Sequence, residues 1–111
     1  MVVRTFLLWF ELPSELDAPE GTPYLSDAER QSMLEVAIRE DPRWVLERMS
    51  LSHPAGHDER QSLLVFVRAE QEAGRDVEET VRAGVFEVIE QRVPGARLMR
   101  TMDVTDQPTP R

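Results

Sequence analysis

The chain of 111 residues contains no cysteine, no lysine and no asparagine. Without cysteine there is no disulfide framework, no thiol nucleophile, no iron–sulfur ligation and no thiolate zinc site. Without lysine there is no Schiff-base chemistry, no Walker-type phosphate loop and no Ser-x-x-Lys hydrolase. Lysine and asparagine use A-rich codons whereas arginine, alanine, glycine and proline use G and C, so a GC-rich bacterial genome is the simplest account of these zeros. A membrane-length apolar run is missing as well. Phe6 to Phe10 is stopped by Glu11 and followed by no small-residue cleavage site, which fits neither a signal peptide nor a membrane span.

What is present in quantity is charge of one sign. Thirteen arginines stand against 21 aspartates and glutamates, leaving a formal charge of −8. That surplus repels phosphate backbones and anionic lipid, so neither nucleic acid nor a membrane is expected as a partner; with neither a signal-peptide nor a membrane-span pattern, a cytoplasmic location is expected by default. The length suits one domain. Residues 1–106 are expected to form it, as a single α+β unit, and 107–111, with Pro108 and Pro110, to be a disordered tail.

Six elements can be read in order. Val2 to Leu12 is rich in β-branched and aromatic residues and closed by Pro13, which predicts a strand. The following stretch to Leu25, with Pro19, Gly21 and Pro23, predicts a loop. Ser26-Asp27-Ala28-Glu29 has the form of a capping box and opens a helix with Met33, Leu34, Ala37 and Ile38 on one stripe and a Glu35–Arg39 pair. Pro42 ends it near Asp41. Arg43 to His53 alternates, with Trp44, Leu46 and Arg48 against Val45, Glu47 and Met49, and reads as a second strand. A polar turn from His53 to Arg60 leads into a third, Ser62 to Glu70, which makes a hairpin. Asp76 and Glu79 repeat the cap signature. Val77, Val81, Val85, Val88 and Ile89 then share one helical face until Pro94-Gly95. Ala96 to Thr105 is the last strand.

The order β-α-β-β-α-β resembles the split βαβ plan of ferredoxin-like domains. The resemblance covers nearly the whole chain but rests on element order and carries no motif. It implies a four-stranded antiparallel sheet with two helices on one face, and right-handed crossovers put the first and third strands at its centre. Phe6, Leu8 and Phe10 with Leu63, Val65 and Val67 suffice for the helix-covered core. The opposite parities still hold Val3, Leu7, Trp9, Leu64 and Phe66, and Trp44 or Val45 and Met99 or Met102 extend them. Such an apolar face is too large to leave in water.

Three occupants compete for it. A second copy packed sheet to sheet makes a homodimer, the commonest closed oligomer. An RNA platform places aromatics on the same strands, but Leu64-Val65-Phe66-Val67 lacks the glycine and the basic residue of that signature, and the net charge opposes it. A pocket in a small dimeric α+β barrel, of the monooxygenase, isomerase or cyclase sort, is lined by Trp9, Trp44, Phe66, Arg48 and Arg68. The expectation is a non-catalytic interaction or assembly module dimerising through Leu7, Trp9, Trp44, Leu64, Phe66, Arg48 and Arg68, with a further protein partner open to it. The barrel enzyme or ligand-binding protein is the alternative.

Catalytic constellations are thin. His53 and His57 with Asp58 and Glu59 have chelating spacing only on a helix, and Pro54 and Gly56 argue for a turn, so no metal is expected. Ser50, Ser52, His53 and Asp58 lack a nucleophile elbow. Arg48 and Arg68 are candidates for cross-strand pairs with Glu11 or Glu70. The acidic positions Glu11, Glu15, Asp17 and Glu20 lack calcium-loop spacing, and no cofactor is expected. Gly84, inside the second helix, costs about 1 kcal/mol relative to alanine and predicts a close approach there.

Overall fold

The computed structural model describes residues 2–13, 26–52, 60–71, 74 and 76–105. The order is β1 (Val2–Pro13), α1 (Asp27–Arg39), β2 (Val45–Ser52), β3 (Arg60–Gln71), α2 (Val77–Arg92) and β4 (Arg97–Asp103). The strands form one antiparallel sheet in the order β2-β3-β1-β4, so the first and third strands are central. The result is an α+β fold compatible with a ferredoxin-like sandwich. The tail from 107 and the turn holding His53, His57, Asp58 and Glu59 lie outside the described residues, as do Glu15, Asp17 and Glu20.

Helix starts follow the local sequence closely. The Ser26 hydroxyl accepts from the Glu29 amide at 3.2 Å while the Glu29 carboxylate accepts from the Ser26 amide at 3.2 Å, a complete capping box. Asp76 caps α2 by accepting from the Glu79 amide at 3.2 Å. Gly95 adopts φ +92°, a conformation open to glycine at little cost, and turns the chain from α2 into β4.

Alternation on the two central strands decides the layers. Phe6, Leu8, Phe10 and Leu12 of β1 and Leu63, Val65, Val67 and Ala69 of β3 are buried beneath Leu34, Ile38, Val81, Val85 and Ile89 of the helices. Register is unbroken along this pair, from Val2 opposite Gln71 to Pro13 opposite Arg60. The edge strands behave differently. On β2 the register shifts between Leu46 and Arg48, so Leu46 and Met49 both reach the core while Arg48 stays outside. Strict alternation would have grouped Arg48 with Leu46. The irregularity avoids burying a guanidinium among aliphatic groups, whose desolvation nothing there would offset.

Trp44 does not join the uncovered face. It lies just ahead of β2, is 4% exposed, and belongs to the helix-side core. Its indole donates to the Ile38 carbonyl at 3.0 Å, an oxygen in the last turn of α1 that also accepts from the Asp41 amide at 3.3 Å. Gly84 of α2 faces its ring: a Cβ there would sit 2.8 Å from Cζ3. The close approach expected at Gly84 is therefore to one buried aromatic side chain.

Candidate functional site

The helices cover one side of the sheet; no described element covers the other, and its composition can be read row by row from the register. Arg48, Phe66, Leu7 and Met102 stand side by side across the four strands. The next row is Ser50, Leu64, Trp9 and Arg100. Leu7, Trp9, Leu64 and Phe66 thus make a contiguous apolar tile at the centre. Leu7, Leu64 and Phe66 are half-buried by their neighbours, and Trp9 is 38% exposed. The Trp9 indole is 3.4 Å from the Ser62 hydroxyl, a long hydrogen bond that turns the ring toward β3.

Charged residues frame this tile. Arg48 stacks over the Phe66 ring, its guanidinium carbon 4.6 Å from the centroid. Arg68, opposite Val45 and Thr5, pairs with Glu47 at 3.5 Å. Glu11 pairs with Arg60. The expected partners of Arg68, Glu11 and Glu70, are thus replaced: Glu47, displaced at the irregular point of β2, reaches Arg68, and Arg60 reaches Glu11. Arg97, opposite Glu11, and Arg100, opposite Trp9, have no acidic partner among the described residues. Among the described residues, five arginines and three glutamates, counting Glu47 and Glu70, give this side of the sheet a surplus of two positive charges. The chain carries −8, so everything else sums to −10.

Of the residues singled out from the sequence, Leu7, Trp9, Leu64, Phe66, Arg48 and Arg68 come together on the uncovered side, and Trp44 does not. Val45, 54% exposed, and Met102 extend the tile, whereas Met99 sits at the register shift of β4 and borders a groove with Phe86 of α2. Ser50 and Ser52 face Leu64 and Ser62. Sequence reasoning missed the arginines of β4. Their signal was present, since Arg100 and Met102 share parity, but pairing β4 with β1 needed the register.

A second polar feature was also missed. Arg30 of α1, 5% exposed, donates to the Pro13 carbonyl at 2.8 Å and to the Gln61 side chain, and Gln61, 1% exposed, donates to Asp27 at 2.6 Å. The cluster ties the first turn of α1 to the end of β1 and the start of β3. Arg30 shares its stripe with Leu34 and Ile38, so helical period alone would have marked it as buried.

Among the described residues two carboxylates have altered acidity, and neither lies on the tile. Hydrogen bonds from the Arg43 side chain hold Asp41 below the usual carboxylate range, against a smaller opposing effect of burial. Asp103 is held down by the Thr105 hydroxyl and, to a lesser extent, by Arg4. Both sit at element ends and have structural partners. Among the described residues no three His, Cys, Asp or Glu side chains converge as a metal site would require, and no helix is long and apolar enough to cross a membrane. No family model matches the sequence, and no curated protein matches it.

Proposed function

We propose that the chain is a ferredoxin-like sandwich acting in the cytoplasm as a non-catalytic assembly module, a homodimer joined sheet to sheet through the uncovered side. The observation that carries this reading is the tile of Leu7, Trp9, Leu64 and Phe66, flanked by Val45 and Met102, on the side of the sheet that neither α1 nor α2 covers. Four strands about 4.8 Å apart and five rows of side chains about 6.7 Å apart give a face of roughly 640 Å² in plan. Side-chain relief raises its accessible area toward the roughly 800 Å² per partner of an ordinary interface. A two-fold axis sets identical tiles against one another, which makes the surface self-complementary in shape and hydrophobicity.

Light scattering at micromolar concentration tests this. The expected mass is twice that of the chain. Leu64→Glu, which adds a charge to an accessible position, should give a folded monomer with unchanged far-ultraviolet circular dichroism. A wild-type monomer overturns the dimer. The arginine surplus favours a second reading, in which the same surface also holds a ligand.

A further inference from the structure

We infer that the uncovered sheet face binds a small amphiphilic organic anion: an apolar ring system lying on Trp9 and Leu7, with its carboxylate, sulfonate or phosphate held by Arg97 and Arg100 of β4. This rests on the reading that the face is the working surface of the protein, though not on its being a dimer.

Three observations converge on it. Arg100 is opposite Trp9 and Arg97 is opposite Glu11, the next residue on that side of β1, so the register sets the two arginines along one flank of the tile. Glu11, the acid nearest to them in the register, is engaged by Arg60. Neither cation forms an ion pair with a described acid, although acids outnumber arginines by eight in the chain.

The neighbouring surface supplies the second half of an amphiphile site. Trp9 is the most exposed aromatic ring of the face, and its edge is oriented by Ser62. Aromatic faces accept flat apolar bodies, and a guanidinium is a planar donor suited to two-oxygen head groups. The apolar body and the anionic head would thus be read by adjacent residues on one sheet face. The dimer sharpens the requirement. Closing a second sheet over this side would desolvate Arg97 and Arg100, which is strongly unfavourable for an unpaired cation. An anion held between the sheets supplies the missing charge, and the apolar body fills space between the two tiles.

A matched pair of fluorescent probes tests the inference: 8-anilinonaphthalene-1-sulfonate and N-phenyl-1-naphthylamine, the same ring system without the sulfonate. The full-length protein should bind the sulfonate at least tenfold more tightly than the neutral probe, with energy transfer from Trp9. The double variant R97Q/R100Q should bring the two affinities within about twofold of each other, while Arg92→Gln, on α2, should leave the preference intact. Equal affinities in the wild type, a preference that survives R97Q/R100Q, or one abolished by Arg92→Gln each overturns the proposal. So does displacement of the sulfonate by a uridine oligonucleotide at micromolar concentration, which would make the surface a nucleic-acid site. Light scattering on the same samples separates this inference from the dimer: a monomer that keeps the preference removes only the dimer, and a dimer without the preference removes only the anion.

Discussion

Replacing Gly84 by alanine sets two known effects against each other at one site. In the middle of a helix alanine is favoured over glycine by about 1 kcal/mol. A Cβ at this position, however, would lie 2.8 Å from Cζ3 and 2.9 Å from Cη2 of Trp44, and 3.0 Å from the guanidinium carbon of Arg43. Carbon atoms pack at about 3.5–4.0 Å, so the ring must move. It is poorly placed to do so: it is 4% exposed, tethered by its indole to the Ile38 carbonyl at 3.0 Å, and covered by Arg43 at 4.7 Å from the ring centroid. Overpacking of this kind costs about 1–3 kcal/mol. The net expectation is a loss of about 1 kcal/mol, the propensity gain being more than offset. In a Trp44→Leu background the ring is gone, and the same Gly84→Ala change should stabilise by about 1 kcal/mol. Urea denaturation followed by circular dichroism gives both values, because the backbone signal reports unfolding with or without Trp44. A sign reversal, with a coupling energy near 2 kcal/mol, is the predicted outcome. Equal effects in the two backgrounds would refute the packing argument and leave Gly84 without a structural reason.

The polar cluster under the start of α1 and the ion pair after its end give two further expectations. Arg30→Met leaves the buried Gln61 side chain and the Pro13 carbonyl short of a donor and should cost about 2–3 kcal/mol in urea denaturation; Arg30→Met with Gln61→Leu should recover part of that loss, and a neutral single variant would sink the idea. For Asp41, the carboxyl is more acidic in the folded chain than in the unfolded one. Its contribution is therefore present above the unfolded value and disappears as pH falls through the folded one. Wild type should exceed Asp41→Asn by up to about 1 kcal/mol at pH 7, and the gap should close below about pH 4. A gap that does not change between pH 7 and pH 3 would show that Asp41 acts without its charge.

The sequence by itself determined the elements and the layer assignment of the central strands. Capping at Ser26 and Asp76 is a local matter of side-chain oxygens meeting amides within one turn, so three residues of context suffice. The burial of Phe6, Leu8 and Phe10 follows from the two-residue period of a strand, which needs no knowledge of its neighbours. The tertiary structure decided everything that depends on which distant residues meet. Trp44 looked from its parity like a member of the exposed patch, but the strand begins after it, and its indole found the end of α1. Arg48 keeps its place on the uncovered side, but it leaves the alternation it shares with Leu46 because an irregularity in an edge strand is cheaper than a buried guanidinium. The absence of lysine first meant only that certain chemistries were excluded and that all the positive charge rests on arginine. Register then gathered five of those arginines around an apolar tile on an acidic chain, a sorting across four strands that no single stretch of sequence contains.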